Sequence, residues 1–175
     1  MKVNQNFWVY YFLLLIGQVV LCNYFPFSTH VLLSMLPVMV LCIPLTIGTA
    51  GCMLIAFFSG LTIDWLSEGI IGLNAAAAVP AALMRVPLIR FFLGEDLISR
   101  KDSFSFRKNG AGKISTTIIA ISVIFFGIYV ILDGAGTHET SFNLIRFGAS
   151  ILCNMPLALL AADILTPEDR KEEAR

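Results

Sequence analysis

Gly60-Leu61-Thr62-Ile63-Asp64-Trp65-Leu66-Ser67-Glu68-Gly69-Ile70-Ile71-Gly72-Leu73-Asn74-Ala75-Ala76-Ala77-Ala78 lies between two long apolar runs and brings two carboxylates, Asp64 and Glu68, into them. A carboxylate inside apolar surroundings is unfavourable unless other groups compensate it. Whether those surroundings are a soluble core or a membrane decides the fold.

Composition answers that. The chain has 175 residues, 57% hydrophobic and 14% charged, with a mean hydropathy of +0.82. Soluble domains carry roughly a quarter charged residues. Uncharged runs of about 17–25 residues, the length a helix needs to cross hydrocarbon, recur along the chain. Alternating ten-residue segments of the outer-membrane barrel type are absent from it. The expected fold is therefore an all-α integral membrane protein, with little room for a separate soluble domain.

Six spans are predicted, at about 7–22, 30–47, 49–66, 70–92, 114–132 and 142–165. The first opens on the aromatics Phe7, Trp8, Tyr10 and Tyr11, which suit a membrane–water interface. Its bulky start, with no small-residue cleavage site before Asn23, predicts an uncleaved span and not a removed signal peptide. Gln18 is its one polar side chain and needs a partner on a neighbouring helix. Pro37 and Pro44 interrupt the second span, which is expected to be kinked or partly irregular. Gly48, Cys52, Ala56, Gly60 and Asp64 recur every fourth residue in the third, a seam of small residues leading to the acid. The small-volume run Asn74–Ala78 of the fourth is the expected partner of that seam. Pro80 and Pro87 predict bends beyond it.

The one long polar loop is basic and runs over 94–113, and the tail over 166–175 is charged. With six spans, Lys2, the basic loop and the tail (Arg170, Lys171, Arg175) fall on one side, and the connections on the other side hold no Lys or Arg. The positive-inside rule then places both termini in the cytoplasm.

That topology gives depths to the buried charges. Asp64 falls near the outer end of the third span and Arg146 about one turn inside the outer end of the sixth, so an ion pair between them is predicted, assisted by Gln18 or Asn74. Towards the inner side, Asp163 is placed to meet Arg85 or Arg90, and Arg90 can instead snorkel to the interface. Glu68 is expected in a short solvated outer turn.

Several function classes are disfavoured. A net charge of zero provides no global field for nucleic acid. The four cysteines, Cys22, Cys42, Cys52 and Cys153, form no CxxC pattern and read as small apolar packers. His30 and His138 lie near segment ends, so neither a metal site nor a cofactor is expected. Asp64 and Glu68 share a helix face at i and i+4, a spacing that admits an acid–base pair or an ion site. Neither an activated nucleophile nor a phosphate-binding loop accompanies them. A packing and pairing role is preferred, then transport or binding, then catalysis.

Gly60-Leu61-Thr62-Ile63-Asp64, followed by Gly72-Leu73-Asn74-Ala75, resembles the rod-shape-determining MreD family, which carries Gly-Leu-x-x-Asp at the end of one span and a Gly with small residues opening the next. The first span with Gln18-Val19-Val20-Leu21, the length, the span count and the charged C-terminus agree with that resemblance. It implies a non-enzymatic component of the bacterial inner membrane that binds the membrane-anchored MreC. Through that partner it is linked to the MreB cytoskeleton and to the transpeptidase and RodA glycosyltransferase of peptidoglycan synthesis. It also implies a fold similar to the six-helix substrate-binding (S) subunits of energy-coupling-factor transporters. The long basic loop departs from the simplest family pattern. Gly60, Leu61, Asp64, Gly72, Asn74, Ala75 and Arg146 are the expected structural or interaction residues. A small-molecule-binding subunit of such a transporter is the alternative, and it calls for convergent polar groups around a cavity.

Overall fold

The computed structural model describes residues 7–24, 31–68, 70–94, 110–134 and 139–166. Lys2, His30 and His138, nearly all of the basic loop and the tail beyond Thr166 lie outside the described residues, as do the roles expected of them. Most of those described are helical, with no strand among them. The helices are α1 (Phe7–Tyr24), α2 (Leu36–Cys42), α3 (Thr49–Ile63), α4 (Leu73–Leu93), α5 (Ala111–Asp133) and α6 (Thr140–Leu165), with a π-helical turn over Asp64–Glu68 after α3. Among the described residues, five helices are long and apolar enough to cross a membrane: α1, α3 with its π-turn, α4, α5 and α6. The protein has the make-up of a multi-pass membrane protein.

The second predicted span differs from expectation. Helix occupies only the seven residues of α2, too few to cross a bilayer. Pro37 sits in the first turn, where its missing N–H is no loss. Ile43, the residue before Pro44, is extended with ψ 136°, because the proline ring disfavours the helical conformation there. The two prolines thus bracket the short helix, with irregular backbone on either side. By contrast, α4 remains helical through Pro80 and Pro87, and α6 through Pro156.

Contacts fix the directions of the helices. The Tyr11 hydroxyl meets Ser59 Oγ at 2.8 Å, and Asn23 Nδ2 donates to the Leu66 carbonyl at 3.1 Å. Later residues of α1 thus meet later residues of α3 and its π-turn, so the two helices run the same way. The chain between them must return along the bundle, and the broken stretch around α2 lies on that return. Every residue of α2 is buried, and the helix touches each of the other five. A helix apolar on all sides belongs at the centre of a bundle, and α2 occupies that place.

Helices α3 and α4 form a close-packed hairpin. Cys52, Ala56 and Gly60 on α3, and Ala75, Ala77, Ala78, Ala81 and Ala82 on α4, are buried. A Cβ on Gly60 would sit 2.6 Å from Ala75 Cα, so only glycine allows the two backbones to approach this closely. The expected seam therefore packs against the expected alanine run. The last pair, α5 and α6, is antiparallel: the Phe147 ring lies beside Gly127, and the Asn143 amide fills the space a Cβ on Gly134 would need.

Candidate functional site

Asp64 is fully buried, and no cation meets it among the described residues. It is the first residue of the π-turn. Its Oδ1 accepts the Asn74 backbone N–H and the Asn74 Nδ2, both at 2.9 Å. Its Oδ2 accepts the N–H of Gly72 at 2.9 Å and that of Ala75 at 3.3 Å. The first N–H groups of a helix have no partner within it and carry the positive end of its dipole. From the π-turn, the carboxylate satisfies two of those of α4, Asn74 and Ala75, and that of Gly72 just before it. Gly72 precedes α4 with φ +102°, a left-handed conformation that glycine adopts without penalty. Each named element of the Gly-Leu-x-x-Asp and Gly-x-Asn-Ala pattern except Leu61 thus has a local task. Gly60 permits contact, Asp64 caps, Gly72 turns, Asn74 adds a fourth donor and Ala75 faces Gly60.

The predicted Asp64–Arg146 ion pair is not formed. Arg146 instead pairs with Asp133, the last residue of α5. The link from α5 to α6 is short, so residues just before and after it become neighbours in an antiparallel pair, and Asp133 is nearer to Arg146 than any group on α3.

Arg85 is the second buried charge, 1% exposed. It does not meet Asp163, which is exposed on α6. Its Nε donates to the Leu41 carbonyl at 3.1 Å, its Nη2 to the Ile43 carbonyl, and its Nη1 lies 3.5 Å from Cys52 Sγ. The last carbonyls of a helix lack partners and carry the negative end of its dipole. Arg85 caps the C-terminus of α2 from α4. Arg90, the other candidate at that depth, is exposed in the last turn of α4.

The other end of the broken stretch is held by amides and hydroxyls. Gln18 donates to the Leu33 carbonyl at 2.9 Å and accepts the Met35 N–H at 2.8 Å. Asn154 accepts the Ser34 N–H at 2.8 Å and donates to the Leu32 carbonyl. Ser150 accepts the Leu32 N–H at 2.9 Å. Irregular backbone at membrane depth requires such partners because lipid supplies none. Gln18 stood out in the sequence as a polar residue seeking a partner. Asn154 attracted no role and Ser150 no notice, although their i, i+4 spacing on one face of α6 is a signal that pairs them.

No group of three or more His, Cys, Asp or Glu side chains able to hold a metal occurs among the described residues. In comparisons with known proteins, no family model, no curated protein and no solved structure matches the chain.

Proposed function

We propose that this protein is a non-enzymatic scaffold of the bacterial cell-elongation machinery, similar to MreD, that binds a membrane-anchored MreC-like protein and so supports peptidoglycan synthesis and cell shape. One observation carries this proposal: the buried polar side chains Gln18, Asp64, Arg85, Ser150 and Asn154 hold backbone groups of the bundle itself, and that of Asn74 holds the Asp64 carboxylate. A ligand-binding subunit needs some of its core polarity directed at a cavity, whereas a scaffold needs a rigid shape. The capped hairpin of α3 and α4 provides one, and it contains the residues that carry the MreD resemblance.

In this proposal the broken stretch around α2 crosses the bilayer as a sixth pass, a reading that the parallel run of α1 and α3 supports. Both termini then lie on the cytoplasmic side of the inner membrane, together with the basic loop. The transpeptidase, RodA and MreB are the wider partners, reached through the MreC-like protein.

Affinity purification from bacterial membranes tests the function. Recovery of a single-span MreC-like protein, lost in a Gly60→Leu variant that keeps its helical circular dichroism, is the expected result. A retained vitamin-like ligand with no such partner would instead establish the transporter-subunit alternative, to which the irregular backbone at the bundle centre lends its one point in favour.

A further inference from the structure

The turn between α3 and α4 is apolar where a turn would ordinarily be polar. Trp65, Leu66, Ile70 and Ile71 are 75%, 52%, 58% and 68% exposed. Besides Asp64, Glu68 is the one ionisable residue between Ile63 and Leu73. Several polar groups in and beside the turn find partners within the protein. The Asp64 carboxylate takes the N–H groups of Gly72, Asn74 and Ala75. Ser67 Oγ donates to the Ile63 carbonyl at 2.6 Å, Thr62 Oγ1 to the Phe58 carbonyl at 2.8 Å, and the Leu66 carbonyl accepts from Asn23. Water would meet these groups at no cost, so a hydrated turn does not require this arrangement. A turn without water does.

Length points the same way. The 15 residues of α3 rise about 22 Å, and the π-turn extends the helix to near the hydrocarbon thickness of about 30 Å. It does not clear the headgroups, which bring a bilayer to about 40–45 Å. The 26 residues of α6 rise about 39 Å, and its link to α5 begins and ends on the charged residues Asp133 and Glu139.

We infer that the α3–α4 turn is a membrane-embedded tip: Trp65, Leu66, Ile70 and Ile71 lie in lipid at the boundary between acyl chains and headgroups, and do not project into water. The occupant of this surface is the bilayer leaflet on its side. The inference needs only the membrane-spanning character of the bundle and is independent of any protein partner.

The chain has two tryptophans, so Trp8→Phe leaves Trp65 as the sole reporter. The variant is reconstituted in vesicles of phosphatidylcholine and phosphatidylglycerol, with and without phospholipids brominated at shallow or deep acyl positions. Emission is expected to fall at least about twofold with shallow bromines and less with deep ones, as for an interfacial indole, while aqueous acrylamide leaves it nearly unchanged. Strong acrylamide quenching, stronger quenching by deep than by shallow bromines, or insensitivity to both would each overturn the inference, the last by placing the tip under protein. Should the Trp8→Phe protein fail to fold, the difference in quenching between the unaltered chain and Trp65→Phe reports the same quantity.

Discussion

Asp64 and Arg85 are both buried charges beside α4, and both solve the same problem without an ion pair. Asp64 caps the first turn of α4 itself, with partners eight to eleven positions away. Arg85 extends from α4 to cap another helix, with carbonyl partners 44 and 42 positions away. The acid closes a local hairpin. The base fixes a central element that has no long helix of its own. Charge compensation by helix ends serves local folding in one case and tertiary assembly in the other, and substitutions should separate the two.

The largest loss is expected from Asp64→Ala. Three backbone N–H groups and the Asn74 amide would lose their acceptor, and with about 1–3 kcal/mol for each unmet buried group the loss should be on the order of 4 kcal/mol after relaxation. Denaturant titration in detergent micelles, followed by circular dichroism, measures it. A loss below about 1 kcal/mol would show that water reaches the cap. Next comes Arg85→Ala, which strands the Leu41 and Ile43 carbonyls and opens a cavity, at about 3 kcal/mol. Arg85→Lys sharpens the test: an ammonium cannot reproduce the planar fork that holds two carbonyls, so most of the loss should persist. Full recovery by Lys would mean that charge alone matters.

Gly60→Ala comes third, at about 2 kcal/mol, because its methyl group would meet backbone and not a movable side chain. The smallest effect is expected at Arg146. Its pair with Asp133 is partly exposed, 12% and 19%, so a double-mutant cycle of the two should give a coupling of about 1 kcal/mol or less. The cycle of Asp64→Ala with Arg146→Ala should be additive within about 0.5 kcal/mol. Strong coupling in that second cycle would restore the ion pair expected from sequence and break the contrast between the two capped ends.

Where the sequence predicted well, the signals were local. The helical class, the small-residue seam, the facing alanine run and the irregularity at Pro37 and Pro44 all follow from residues close together in the chain. The hairpin residues Gly60, Asp64, Gly72, Asn74 and Ala75 stand out in the sequence and meet in the structure, but the bonds that unite them have no signature in it. Opposite charges at equal depth invited an Asp64–Arg146 pair, while the N-terminal N–H groups of α4 were the nearer and stronger set of donors. Arg85 was misassigned for the same reason. Carbonyls freed by a helix break carry no side-chain signature, so a search for carboxylates passed over them in favour of Asp163. The second predicted span became a short helix because two prolines in one segment outweighed its apolar composition.

The way the stretch before α2 is held has a consequence for biosynthesis. The Leu32 and Ser34 backbone groups meet Ser150 and Asn154, 118 to 122 positions later in the chain, and α2 is capped by Arg85. When residues 31–43 leave the ribosome, neither set of partners has been made. Of its side-chain partners only Gln18 precedes it, and its final bonds close only when α6 arrives. Helix α6 acts as the clasp of the bundle's centre, and chains released before about residue 154 would carry an unfastened core.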